Sequence, residues 1–281
     1  MNIQWFPGHM AKTRRIITEN LKMIDVVIEL LDARIPLSSK NPEIDTLINN
    51  KKKVVVLNKS DLADTKATGE WIKYYDDKHI KVIPVNSSDG TGISNLKKAL
   101  NDLQADELEK QKEKGIIYKP VRTMIVGIPN VGKSSLINKL AGKAKAKTGD
   151  IPGVTRQKQW VKFSKGLELL DTPGVLWPKF EDEQIGLNLA LTGAIKDEVY
   201  DIEDAAAGLF DFLKRRYPDS IMNRYKVNPD DYLKGYEILE ECGRKRGCLI
   251  SGGEVDLNRI SMIVLDEFRG GKIGRITLEL P

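Results

Sequence analysis

The segment that most constrains this chain is GIPNVGKS, Gly127 to Ser134, which fits the spacing G-x-x-x-x-G-K-S. It follows the apolar run RTMIV and precedes helical apolar spacing over residues 134–141. Strand, glycine loop, lysine, hydroxyl and helix in that order make a cradle for phosphate. Backbone N–H groups of the loop and the helix N-terminus face the anion, the Lys133 ammonium supplies a point charge to the outer phosphates, and the Ser134 hydroxyl can ligate magnesium. Asn130, Val131, Gly132, Lys133, Ser134 and Ser135 are the candidate residues of this loop. A chance glycine-rich turn would not bring spacing, strand, lysine and hydroxyl together.

The same strand-then-loop grammar recurs along the first part of the chain. DVVIELLDARIP, KKVVVLNKSD, IKVIPVNSS, RTMIVGIPN, WVKFS and GLELLDTPG are apolar, mostly β-branched runs that each end in a polar or Gly/Pro loop. That pattern suits strands buried on both faces. Helical stretches at 12–24, 66–78, 93–114 and 134–141 lie between them, which predicts a doubly wound α/β fold with a mostly parallel sheet. Residues 101–114 are so charged that they read as a solvated helix extension or spacer. From Glu181 onward the strand pattern stops, and IGLNLALTGAI, DAAAGLFDFLKRRY and DYLKGYEILEECGRK carry helical spacing. We therefore expect an α/β domain over residues 1–178 and a small helical domain over 179–281, within what a chain of 281 residues can bury. The final GGKIGRITLEL fits a short strand or an extended tail.

Composition excludes several classes. No apolar run approaches the roughly 18 residues of a membrane helix, and the first residues carry Pro7, Gly8 and His9 where a secretory signal has an apolar core. A soluble, cytoplasmic protein with no membrane partner is expected. The two cysteines, Cys242 and Cys248, lack the spacing of a zinc site and read as reduced structural thiols. The net charge of +5 is mild, but its distribution is uneven: residues 1–178 hold 30 basic and 20 acidic side chains, residues 179–281 hold 15 and 20.

A phosphate cradle leaves the base open, and NKSD, Asn58 to Asp61, addresses it. At a strand end, the Asp61 carboxylate can accept two hydrogen bonds from guanine N1–H and its exocyclic amine, which adenine does not offer, and a buried carboxylate left unpaired is expensive. Asn58 would hold the loop or base edge, the Lys59 stem would cover the ring, and Ser60 completes the loop. Alone, NKSD is also an ordinary strand-end turn; beside the phosphate loop it becomes specific. Asn86 and Ser87, again at a strand end, fit a loop offering backbone N–H to the guanine carbonyl, or a plain polar turn. In DTPG, Asp171 suits a magnesium-bound water and the Gly174 amide suits a γ-phosphate. Thr155, between the two phosphate motifs, is placed to bring a hydroxyl to magnesium.

The order of these motifs is unusual. NKSD and the Asn-Ser loop precede the phosphate loop, whereas Ras-type GTPases run the other way. A parallel sheet can be cut in one connection and rejoined in another while its strand ends still converge, so the site survives. DTPG then leads covalently into the helical domain, and the N-terminal helix, with His9, takes the place of the helix that otherwise follows DxxG. With the order NKSD, NSS, GIPNVGKS, PGVT, DTPG, the tripeptide Asp32-Ala33-Arg34 and the opening WFPGHM, the chain resembles the circularly permuted GTPases of the YlqF type over residues 1–178.

The resemblance implies a GTPase that acts late in assembly of the large ribosomal subunit, with magnesium, GTP and GDP as ligands, contacting ribosomal RNA and proteins through the helical domain, as a monomer, with hydrolysis stimulated by the particle. Val175 and Leu176 occupy the place of the usual water-orienting Gln, and the resemblance implies that His9 substitutes for it; a His on a frayed terminus is the other reading. Asn130 resembles a position that helps hold potassium in related enzymes, or simply stabilises the loop. Basic clusters at Lys12/Arg14/Arg15, Lys143/Lys145/Lys147, Lys214/Arg215/Arg216 and Arg244/Lys245/Arg246 either meet RNA phosphates or form solvated faces. Two rival functions remain open: an RNA-binding scaffold with structural nucleotide, and a GTPase serving RNA modification.

Overall fold

The computed structural model describes residues 15, 17–48, 51–103, 105, 109, 120–142, 160–164, 167–170 and 182–281. By internal packing the chain divides into two compact units, one within Phe6–Pro178 together with Glu279–Pro281, the other within Lys179–Leu278.

The first unit is built on a six-stranded sheet. Its strands are β1 (Val26–Asp32), β2 (Lys52–Asn58), β3 (Lys81–Val85), β4 (Val121–Val126), β5 (Trp160–Ser164) and β6 (Leu167–Leu170). Each coincides with one of the apolar runs, β4 starting one residue ahead of its run, because a strand covered on both faces must be apolar at consecutive positions; all seven residues of β1 are buried. The spatial order is β3-β2-β1-β4-β6-β5. β1 pairs in parallel with both β2 and β4, and β4 with β6, while β5 runs antiparallel at the edge. The direction of the order reverses at β1 and β4, and in open α/β sheets ligands bind outside the carboxyl ends of strands at that switch point.

Helices α1 (Glu43–Ile48), α2 (Thr65–Asp77), α3 (Ile93–Asp102) and α4 (Lys133–Ala141) connect the strands. Asp64 caps α2 by accepting from the Lys66 and Ala67 amides at 2.7 and 3.1 Å. Trp71 and Tyr75 of α2 are buried and pack with Val55, Leu57 and Val82 of β2 and β3. A second apolar cluster joins Ile17 and Leu21 to Val27, Met124, Val126 and Leu170. Glu279 binds within this unit: its carboxylate accepts from the Leu37 and Ser38 amides at 2.7 and 3.0 Å, and its carbonyl accepts from the Trp71 indole at 3.1 Å.

The second unit comprises α5 (Glu183–Leu191), α6 (Ile202–Arg216), α7 (Pro218–Tyr225), α8 (Gly235–Lys245) and α9 (Leu257–Arg269). Helix α6 is its axis and buries Ala205, Ala206, Ala207, Leu209, Phe210 and Leu213. The small residues let α8 approach closely: a Cβ on Gly235 would meet the Ala207 carbonyl oxygen at 2.0 Å, so no larger residue fits. A polar node ties α7, α8 and α9 together, with the buried Glu267 carboxylate accepting from the Arg224 guanidinium and Tyr225 hydroxyl at 2.9 Å each and from Arg246 at 3.3 Å. Residues 270–278 form neither helix nor strand; Ile273, Ile276 and Leu278 are buried along an extended tail. Cys242 and Cys248 are unbridged and buried, and burial pushes the Cys242 thiol up to about 12.

Candidate functional site

Four of the candidate loops follow the carboxyl ends of parallel strands, and those after β2, β3 and β4 lie among the described residues. The strand β2 delivers Asn58 into the space between the others. Asn58 is buried, and its Nδ2 donates to the Val131 carbonyl of the glycine loop at 2.7 Å. Its Oδ1 accepts from the Ser87 amide at 3.1 Å and the Ser87 hydroxyl at 2.6 Å. One amide side chain therefore fastens the NKSD loop to the phosphate loop and to the Asn86-Ser87 loop at once. The approach is tight enough to require glycine: Gly132 has φ of 99°, and a Cβ there would sit 2.2 Å from Asn58 Nδ2.

The neighbouring bonds repeat this convergence. The Ser60 amide donates to the Val85 carbonyl at 3.2 Å, Asn86 accepts from the Ser88 amide at 2.8 Å, and Lys139 of α4 donates to the Ser88 carbonyl at 3.1 Å. Lys133 is buried inside the glycine loop, its ammonium donating to the Gly127 and Ile128 carbonyls at 3.1 and 2.6 Å. Ser134 and Ser135, in the first turn of α4, and Asp61, after the NKSD turn, are exposed. The leading N–H groups of a helix have no intrahelical partner, so the start of α4 presents donors beside a lysine and a hydroxyl. Of the expected magnesium ligands Ser134 alone is described, and its hydroxyl oxygen is a donor type that suits a hard divalent cation such as magnesium.

His9, Thr155, Asp171 and Gly174 lie outside the described residues, as do Val175, Lys12, Arg14 and the Lys143/Lys145/Lys147 cluster. The other histidine, His79, lies two residues before β3 and so at the amino end of that strand, away from the converging loops. In the helical unit much of the basic surface has structural work. Lys214 donates to the Tyr232 carbonyl, Arg244 pairs with Glu240, Lys245 donates to the Lys226 carbonyl, and Arg246 reaches Glu267 and lies 5.3 Å from the Tyr225 ring centroid. Lys214, Arg215 and Arg216 close α6, and Arg244 and Lys245 close α8, where cations complement the helix dipole. Arg215 and Arg216 remain exposed.

The comparisons with known proteins agree with this geometry. A family model described as "50S ribosome-binding GTPase" matches residues 122–223. Ribosome biogenesis GTPase A of Bacillus cereus is 52% identical over 283 aligned residues, covering 100% of this chain and 95% of that protein. The chain belongs to the ribosome biogenesis GTPase A family. A Thermotoga maritima member is 31% identical over 99% of this chain and 95% of its own length. Among solved structures, a GDP-bound YlqF is 29% identical, with a TM-score of 0.70, covering 95% of this chain and 99% of that one. A GNP-bound YlqF from Thermotoga maritima is 27% identical, with a TM-score of 0.67, covering 96% and 98%. Membership makes this chain a GTP hydrolase of ribosome assembly, and the permuted order of its loops on a mostly parallel sheet is the family's fold. Reading the motifs singly had left Asp32 and Arg34 without a role. The signal was an acid at the very end of a buried strand with an arginine two residues on, and its meaning depends on Lys59, which only the sheet brings near.

Proposed function

We propose that this chain binds Mg-GTP at the converging strand ends, associates in that state with precursors of the large ribosomal subunit in the cytoplasm, and is released when GTP is hydrolysed to GDP and phosphate. The observation that carries the reading is the Asn58 junction, which holds the base-reading loop 2.7 Å from the glycine loop and bonds the Asn86-Ser87 loop as well. A nucleotide is the ligand that needs a base-reading and a phosphate-binding loop held at fixed separation. Asp61 then accepts from the guanine edge, Lys59 covers the ring, and Asn86, Ser87 and Ser60 frame the base. The loop Asn130 to Ser135 takes the phosphates, with Lys133 on the outer ones. Ser134, Thr155 and Asp171 would hold magnesium, which when bound offsets phosphate charge; the Gly174 amide would meet the γ-phosphate. Potassium at Asn130 would add a second positive charge there.

We assign residues 1–178 to nucleotide and 179–281 to ribosomal RNA and protein, with the chain acting as a monomer. The exposed Arg215 and Arg216 are the described arginines of the α6 cluster that RNA could reach. The test is GTP turnover with and without large-subunit precursors. Turnover should rise when particles are added, and Asp61→Ala should erase the preference for GTP over ATP in a folded protein. Turnover indifferent to particles would leave a nucleotide-stabilised scaffold as the better description, and an Asp61→Ala protein that still excludes ATP would remove Asp61 from base reading.

A further inference from the structure

The strand β1 carries none of the nucleotide loops, yet its end touches the NKSD loop at two consecutive residues. The Ala33 amide donates to the Asn58 carbonyl at 2.8 Å. The Asp32 carboxylate lies 3.0 Å from the Lys59 ammonium. Asp32 is itself gripped by Arg34, whose Nε donates to Oδ1 at 2.9 Å, Nη2 to Oδ2 at 2.8 Å, and backbone N–H to Oδ1 at 3.0 Å. The Ser39 hydroxyl completes the turn by accepting from the Asp32 amide at 3.0 Å and donating to the Ile35 carbonyl at 2.7 Å. Asp32 and Arg34 are both almost fully buried, at 2% and 1% exposure. Burial would raise the Asp32 pKa, but the Arg34 guanidinium and then the Lys59 ammonium hold it well below the usual carboxylate range.

Lys59 has a second bond. Its ammonium donates to the Asn130 carbonyl of the glycine loop at 2.9 Å. Lys59 and Asn130 both adopt left-handed backbone conformations, at φ of 57° and 55°. Such a conformation costs a lysine on the order of 1–3 kcal/mol and persists where its surroundings over-determine it. The Lys59 stem is therefore held at both ends, by its backbone turn and by a buried carboxylate that is itself immobilised.

We propose that Asp32, fixed by Arg34, is a positioning residue for Lys59, and that this buried acid on β1 sets how long guanine nucleotide stays bound by holding the Lys59 stem across the base and its ammonium on the glycine loop. The inference rests on the nucleotide-site reading above and extends it to a strand with no nucleotide contact of its own. The Asp32–Arg34 pair would be a permanent structural feature, and Lys59 the group through which it acts. Affinity should therefore change without a change in the chemical step.

A double-mutant cycle on GDP binding tests this, using full-length wild-type chain, Asp32→Asn, Lys59→Met and the combination, with GDP dissociation rate, KM and kcat for GTP as readouts. In the wild-type background Asp32→Asn should raise the GDP dissociation rate and the KM about tenfold, the scale of a lost charge-assisted bond, with kcat within about twofold. In the Lys59→Met background the same substitution should leave dissociation unchanged. An equal loss in both backgrounds would make Asp32 a general support of the fold, and no loss in either would make it irrelevant to nucleotide; each overturns the proposal. If Asp32→Asn alone does not fold because Arg34 is left as an unpaired buried charge, Asp32→Asn/Arg34→Gln removes both partners and carries the same comparison. Wild-type chain that does not bind GDP would instead sink the nucleotide-site reading, a result separate from any outcome of the cycle.

Discussion

Lys133→Ala is expected to abolish measurable magnesium-dependent GTP binding at micromolar nucleotide while the chain stays folded. Lys133 is buried in the glycine loop and donates to the Gly127 and Ile128 carbonyls at 3.1 and 2.6 Å. Its ammonium is thus fixed where the outer phosphates would lie, and a triphosphate has no other described lysine inside the loop to meet it. Bonds to charged groups contribute about 1.5–3 kcal/mol each, so losing contacts to two phosphates weakens binding by roughly 10²-fold or more. The fold should lose less, because α4 keeps Leu136, Ile137 and Leu140 in the core and the substitution removes from it only the bonds to the Gly127 and Ile128 carbonyls. Calorimetric titration with GTP alongside a thermal melt separates the two effects. Near wild-type affinity would contradict the phosphate assignment.

His9→Ala carries the second large effect, on turnover rather than affinity. His9 lies outside the described residues, and its role follows from the sequence around DTPG. Val175 and Leu176 follow DTPG where a water-orienting side chain is needed, and neither can bond water. His79, the other histidine, precedes β3 at the end opposite the loops. Replacing His9 should lower GTP turnover roughly 10²-fold, the scale of general-base or water-positioning catalysis. GTP affinity should remain within about twofold. Single-turnover hydrolysis with large-subunit precursors present gives the clearest reading, and unchanged stimulated turnover would transfer the role to the particle or to a bound cation.

The sequence revealed much of the sheet because its central strands are buried along most of their length, all seven residues of β1 among them, and must be apolar there. Five of the six strands fall within runs visible as apolar segments, and β4 starts one residue ahead of its run. The edge position and reversed direction of β5 were not visible, since apolar patterning carries no direction. Helix α1, with six residues, is too short for helical spacing to register. The tail after α9 could be read as strand or coil, and residues 270–278 take up neither helix nor strand.

Within the site, the loops identified singly from NKSD, NSS and GIPNVGKS are those that Asn58 binds together. What sequence could not supply was the pairing of residues far apart in the chain: Asn58 with Val131, Lys59 with Asn130, and Glu279 with Leu37. Asp32 shows the reason most clearly. A buried acid beside an arginine reads as a closed local ion pair, and only the register of β1 on β2, which sets Asp32 against Asn58, brings Lys59 to its second oxygen.

The central claim is that guanine nucleotide at this permuted site governs association with an assembling large subunit. Co-sedimentation with large-subunit precursors, compared between a non-hydrolysable GTP analogue, GDP and no nucleotide, tests it most directly. The chain should pellet with the particles in the analogue and remain in the supernatant with GDP or without nucleotide, and Lys133→Ala should remain there under all three conditions. Equal pelleting regardless of nucleotide, or none with the analogue, would contradict the account.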